Sequence, residues 1–180
     1  MIKIIQKILY SFGMNLSVYD VKSELKLLKR NLPHSFKERH VVDIGCGNGK
    51  ISKKLKKVLK PKTFEGVDIS SSLVHAAKRR GLKARVLDVA TQNISGDLGI
   101  LWGVVHHFND PVLTLNRLRK NFRSLLIRAP VDHNRICELG HKFSKEKFIK
   151  ILSDANIKIN QCMLVESKKT KALILFCDFR

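Results

Sequence analysis

Apolar positions along this chain switch repeatedly between a period of two and a period near 3.6, and the alternation predicts a series of strands and helices. Residues 16–32 place Leu16, Tyr19, Leu25, Leu28 and Leu32 near helical spacing with lysines between them, so an amphipathic helix is expected, ended by Pro33. His40–Gly45 is a short apolar run bounded by polar residues on one side and glycines on the other, and reads as a buried strand. In the helix that follows, Ile51, Leu55, Val58 and Leu59 fall on one face and Lys53, Lys54, Lys56, Lys57 and Lys60 on the other, until Pro61. A second strand covers 63–70. Residues 71–80 form a serine-capped helix with Gly81 at its end, and Leu82, Ala84 and Val86 alternate with Lys83 and Arg85 in a third strand that ends at Asp88.

The same rhythm continues to the end of the chain. Strand four is expected at 99–105. Asp110 and Pro111 cap a helix carrying Val112, Leu115, Leu118 and Phe122, and strand five occupies 124–130. Ser144 caps a helix with Phe148, Ile151, Leu152 and Ala155, and two final strands, 157–165 and 171–179, are joined by the short polar stretch 166–170, which favours an antiparallel hairpin. Strands alternating with helices imply βαβ units, right-handed crossovers and a mostly parallel sheet covered on both faces. The chain is 180 residues long, with no internal repeat and no linker, so one domain is expected.

Charge adds the strongest compositional signal. Lys and Arg number 35 against 15 Asp and Glu, a formal net charge of +20, and residues 1–60 hold 14 of the basic residues but 4 of the acids. A field this positive concentrates polyanions such as RNA, DNA or an acidic membrane, so an anionic partner is expected, nucleic acid (RNA) among the candidates. Cys46, Cys137, Cys162 and Cys177 show no metal-binding or paired spacing, which points to no metal and to a reducing, cytoplasmic setting. The apolar start is broken by Lys3, Gln6 and Lys7 and is too short to span a membrane. Ile4, Ile5, Ile8, Leu9 and Phe12 could rest on an acidic membrane surface, but packing against the domain accounts for them better.

In open parallel sheets ligands bind beyond the carboxyl ends of the strands. Three of the few acids, Asp43, Asp68 and Asp88, belong to the first three strands. After strand one comes Gly45-Cys46-Gly47-Asn48-Gly49, whose glycines let the backbone turn sharply and a ligand approach closely. Asp68, 19 residues past Gly49, is placed to accept ribose hydroxyl hydrogens, and Asp88 to accept from an adenine amino group. A dinucleotide loop requires Gly or Ala at the sixth position, but counting from Gly45 gives Lys50 and from Gly47 gives Ser52. Asp43 would repel a pyrophosphate and welcome an ammonium group. The pattern therefore favours an adenosine cofactor bearing a methionine moiety.

On these residues the chain resembles the class I S-adenosylmethionine-dependent methyltransferases: 41–49 is similar to their first motif, 67–70 to the second, 87–89 to the third and 101–111 to the fourth. The likeness covers roughly residues 38–180, with 1–37 as an N-terminal helical segment packing on the domain. It implies a Rossmann-like three-layer sandwich with a seven-stranded sheet, mostly parallel, ending in an antiparallel hairpin. By the same likeness Asp43, Gly45, Cys46, Gly47 and Gly49 hug the methionine half of S-adenosyl-L-methionine, Asp68 and Ile69 hold the ribose, and Asp88 and Val89 flank the adenine.

The acceptor side is quieter. Methyl transfer is an in-line displacement, so alignment alone can supply much of the rate and a general base is optional. His106 and His107, following strand four, are the candidates for a catalytic base; Trp102 could stack on a ring. The expected acceptor is RNA or another anionic macromolecule. A small or lipid-like acceptor, and a non-catalytic RNA- or partner-binding module on the same fold, are the alternatives. No Asn/Asp-Pro-Pro-aromatic run is present, and Arg119–Phe122 stands where the family often has a Pro-Gly-Gly turn.

Overall fold

The computed structural model describes residues 21–36, 39–132, 140–167 and 170–179. The predicted helical turn before Val21, the N-terminal apolar positions and Cys137 lie outside these residues. The elements are α1 (Val21–Asn31), β1 (His40–Ile44), α2 (Lys50–Leu59), β2 (Thr63–Asp68), α3 (Ser71–Arg79), β3 (Ala84–Val86), β4 (Gly96–Trp102), α4 (Pro111–Asn121), β5 (Phe122–Pro130), α5 (Lys145–Asp154), β6 (Gln161–Ser167) and β7 (Thr170–Asp178).

They form one seven-stranded sheet in the order β3-β2-β1-β4-β5-β7-β6. Strands β1 to β5 run parallel, and β7 runs antiparallel to both β5 and β6. The architecture is the expected Rossmann-like sandwich. Strand order reverses between β1 and β4, which opens a crevice beyond their carboxyl ends.

Alternation along the central strands divides the core between two layers. Leu98, Ile100, Leu126 and Ile174 pack against Leu28 of α1, Leu55 and Leu59 of α2, and Val74 and Ala77 of α3. Their neighbours Leu101, Ile127 and Leu175 face the opposite way, toward Leu115 and Leu118 of α4 and Phe148 and Leu152 of α5. Leu55 and Leu59 are fully buried, and each contributes about 1.5–3 kcal/mol by leaving water. The helix starts follow the predicted chemistry: Ser70, Asp110 and Ser144 accept the amides of Leu73, Leu113 and Lys147 at 3.4, 2.9 and 3.1 Å.

Three boundaries differ from expectation. Strand β4 begins and ends three residues early. It ends because Gly103 turns left-handed, with φ 73°, and residues 105–107 form a 3-10 turn. It begins at Gly96 because a residue without a side chain fits there against Phe122, whose ring would lie 3.1 Å from an added Cβ. Phe122, expected on the helix, is the first residue of β5, so α4 runs into the strand with no loop. Strand β6 starts at Gln161 rather than 157, since Ile157 closes the end of α5 by donating its N–H to the Leu152 carbonyl at 2.8 Å.

Helix α1 is fastened to the sheet by a buried ion pair. Arg128 of β5 donates from Nη2 and Nε to Glu24 Oε1 at 2.6 and 3.1 Å, and both side chains are fully buried. None of the helices among the described residues is long and apolar enough to cross a membrane.

Candidate functional site

The crevice is built by the turns that follow β1, β2 and β4. After Ile44 the amides of Gly45 and Cys46 both donate to the Val67 carbonyl, at 2.8 and 3.0 Å, so pairing with β2 continues into the turn. Gly45, Gly47 and Gly49 all adopt left-handed φ values of 71°, 54° and 77°. At Gly45 space is as restrictive as conformation: an added Cβ would lie 2.9 Å from Val104 Cβ, so the cofactor loop and the turn after β4 touch with no room between them. The loop closes when Gly49 donates to Cys46 O at 3.1 Å, and α2 begins as Lys53 donates to Gly49 O at 3.1 Å.

Asp68 ties two turns together. Its Oδ2 accepts the Gly47 amide at 2.8 Å and its Oδ1 accepts the Ser70 amide at 2.9 Å. Burial pushes its carboxyl above the ordinary range, while the two amides hold it down. Asp43 lies beneath the loop, 3% exposed. Burial drives its carboxyl up to about 7; a hydrogen bond from the Ser52 side chain opposes this and the charge of Asp68 adds to it. A protein of net charge +20 thus gathers two carboxyl groups in its crevice, an environment suited to a cation.

Cys46 is buried with its thiol pushed well up by burial and by the charges of Asp43 and Asp68, so it packs rather than reacts. Gly66 makes room for it: a Cβ there would lie 2.8 Å from the sulfur. Ile69, next to Asp68, leaves a large apolar side chain 69% exposed beside the crevice. Asp88 is half-buried and shapes its own turn. Its Oδ1 accepts Ala90 N at 2.9 Å, its carbonyl accepts Gln92 N at 2.8 Å, and its amide donates to Gln92 Oε1 at 2.9 Å. The Val89 side chain is buried in the core layer of α4 and α5.

The two histidines after β4 have different surroundings. His106 is buried, its carbonyl accepts the His141 amide at 2.7 Å, and its ring lies 4.0 Å from that of His107. His107 is exposed. Trp102 is buried in the layer beneath α1 to α3.

Sequence reasoning missed two supports of the site. Ser52 binds the Cys46 carbonyl at 3.2 Å from within α2. Arg117 of α4 clamps the turn after β3, donating to the carbonyls of Ala90 and Thr91 at 2.8 and 3.0 Å and to Asn93 Oδ1 at 2.9 Å. Nothing in the spacing marked either of them.

Comparison with known proteins agrees with this geometry. Residues 42–124 match the family described as Methyltransferase domain. The methyltransferase-family protein 235L of Invertebrate iridescent virus 6 is 38% identical over 120 residues, 59% of this chain and 43% of the relative. The tRNA U34 carboxymethyltransferase of Campylobacter fetus is 29% identical over 96 residues, 48% of this chain and 34% of the relative. The chain therefore spans less than half the length of these curated relatives. Among solved structures, the magnesium protoporphyrin IX methyltransferase of Synechocystis PCC 6803 with bound S-adenosylhomocysteine superposes with a TM-score of 0.70 at 18% identity, covering 89% of this chain and 82% of that one, a likeness of fold. The family match runs from β1 into β5 and takes in the glycine loop, Asp68 and the turn after β4, so over residues 42–124 the chain is similar to the methyltransferase domains of that family.

Proposed function

We propose that this protein transfers a methyl group from S-adenosylmethionine to RNA. The observation that carries the cofactor half is the acidic crevice: a left-handed glycine loop clipped by Asp68, over a buried Asp43 poised near neutrality. The residues fit the group. Asp43 and Asp68 supply negative charge for a ligand with ammonium and sulfonium centres, Asp68 retains acceptor capacity beyond its two amides, and Ile69 offers an open apolar surface beside it for the ribose. The bound cofactor would supply an electrophilic methyl carbon.

The protein's own residues would orient and shield. Asp43, Gly45, Cys46, Gly47 and Gly49 would line the methionine half, Asp68 and Ile69 the ribose, and Asp88 and Val89 the adenine. His107, exposed on the turn after β4, is the better placed of the two histidines to take a proton from an oxygen or nitrogen acceptor, whereas His106 would hold that turn in position. Residues 38–180 would act as a single domain with 1–37 docked on it, a reading supported by the Glu24–Arg128 pair. RNA as the acceptor is supported by the +20 charge and by a relative named for tRNA.

Calorimetric titration with S-adenosylhomocysteine tests the cofactor half: saturable binding that weakens in Asp68→Ala is expected, and no binding by the unmutated protein would remove the reading. Incubation of total RNA, total protein and lipid extract with methyl-labelled cofactor tests the acceptor. Label in the RNA fraction is expected, and label confined to protein or lipid would overturn it.

A further inference from the structure

The positive charge is not spread evenly over the described surface. The five lysines of α2 (Lys50, Lys53, Lys54, Lys56 and Lys57) are all exposed, and the basic residues of α1 and of the end of α3 are exposed beside them. Among the described residues between 21 and 83, acids do not offset them: Glu24 and Asp43 are buried, Asp68 is committed to the crevice, and Glu65 is paired with Arg85 at 2.8 Å. The opposite layer is different in kind: α5 intersperses Glu146 and Asp154 with its lysines, and Lys150 contacts Asp154 at 3.3 Å.

This basic face begins at the rim of the crevice. Arg80 Nη1 donates to the Asn48 carbonyl at 3.2 Å, inside the glycine loop, and α2 starts at the next turn of chain. With a rise of about 1.5 Å per residue, Lys50 to Lys57 line roughly 10 Å of helix leading away from that rim. α1 packs alongside, held by its buried ion pair.

We propose that the face formed by α1, α2 and the end of α3 docks RNA by its phosphate backbone and delivers the strand to the crevice. The proposal rests on the acceptor reading above and adds where that acceptor binds. Lysines act as point charges toward phosphates, and a row of them gives sequence-independent, salt-sensitive affinity. A membrane surface suits the face poorly, because the exposed large hydrophobic side chains among the described residues are Ile69, Val86, Leu113 and Leu164, and none belongs to α1 or α2. An acidic protein suits it poorly as well, since protein interfaces are depleted in lysine and centre on buried aromatic or arginine anchors.

The test uses two triple charge reversals in the full chain: Lys53→Glu with Lys54→Glu and Lys57→Glu on α2, and Lys145→Glu with Lys147→Glu and Lys150→Glu on α5. Both change the net charge equally, so the distant field falls alike and only local contacts differ. Binding of a fluorescent single-stranded RNA, of duplex DNA and of anionic vesicles is measured between 50 and 200 mM salt. The α2 variant is expected to lose at least about tenfold in RNA affinity and to flatten the log–log salt slope by about 2, at roughly 0.7 per phosphate released, while the α5 variant loses less than about threefold. The neutral set Lys53→Gln, Lys54→Gln and Lys57→Gln should lose affinity in the same direction, which guards against a folding defect in the reversal. Equal losses in the α2 and α5 variants, absence of salt-dependent RNA binding, or tighter binding of DNA or vesicles than of RNA would each overturn the proposal. Titration with S-adenosylhomocysteine on the same variants separates this result from the enzyme reading: lost RNA binding with retained cofactor binding is expected for the α2 variant, and a failure of cofactor binding in the unmutated protein leaves the docking result standing.

Discussion

The Asp68 carboxylate accepts the Gly47 amide at 2.8 Å across 21 positions of sequence, so the group expected to meet the ribose also fastens the loop that would hold the methionine half. Removing it should harm the protein before any ligand is added. Asp68→Ala is expected to lower the unfolding free energy of the ligand-free protein by about 1–3 kcal/mol, because the Gly47 and Ser70 amides lose a charged acceptor. Asp68→Asn, which keeps one acceptor oxygen, should lose less. Denaturant titration checks this, and unchanged ligand-free stability in Asp68→Ala would show that the clip is dispensable.

Asp43 should make stability depend on pH in an unusual direction. Its carboxyl lies at about 7 in the folded chain and near 3.8 when unfolded, so between those values the folded state keeps a proton that the unfolded state has lost. Its contribution is therefore greatest at acid pH, declines as pH rises through that window, and is constant above it; over some three pH units the loss amounts to roughly 4 kcal/mol at most. Asp43→Asn lacks this decline. Thermal unfolding from pH 4.5 to 8.5 should show the Asn variant gaining on the unmutated protein up to neutrality and running parallel beyond.

The same carboxyl predicts a proton signature for ligand binding. An ammonium group arriving beside Asp43 favours its ionised form, so S-adenosylhomocysteine should expel up to one proton at pH 6.5 and almost none at pH 8.5. Calorimetry in two buffers of different ionisation enthalpy measures the release, which should vanish in Asp43→Asn.

Gly45 and Gly81 share left-handed backbone but differ in surroundings. A Cβ at Gly81 meets nothing within 4 Å, whereas at Gly45 it would press on Val104. Gly81→Ala is expected to cost about 1–2 kcal/mol from conformation alone. Gly45→Ala should cost a further 1–3 kcal/mol or so from overpacking and should weaken cofactor binding. Equal effects in the pair, read by denaturant midpoint, would rule out the packing contribution.

Removing one member of the buried ion pair should be severe. Glu24→Ala leaves the Arg128 guanidinium buried without its carboxylate, at an expected cost of about 3–5 kcal/mol. The double variant Glu24→Leu with Arg128→Met should recover most of it. Melting temperatures of the three proteins decide this, and a double variant as unstable as the single one contradicts it.

Much of this architecture was legible because local and global preferences agree. The serine and aspartate caps, the glycine loop and the apolar runs of β1, β5 and β7 each state in a few residues what the fold does with them. The limits of β4 were hidden because Gly96 and Asp97 carry no apolar signal, although Gly96 is shaped for Phe122 and Asp97 Oδ2 accepts the His40 amide at 3.1 Å. Phe122 satisfies the helical period and the strand period equally, and the ladder with Gly96 takes it. Seven of the nine candidate cofactor residues lie in β1, β2 and the turns after them, whereas Asp88 and Val89 follow β3 and the Val89 side chain is turned into the core; the double duty of Asp68 depends on tertiary geometry that spacing does not encode. For the ion pair the sign was present: Arg128 is the one charge between Leu125 and Pro130, in an otherwise apolar strand.

That pair also has a history in time. Glu24 is made well before Arg128 exists, 104 positions later in the chain, roughly 5–20 s of synthesis at ordinary rates. Through that interval the carboxylate has no strand to dock on and must stay in water, so α1 settles only after β5 has been translated. The first helix among the described residues is thereby among the last pieces to find its place.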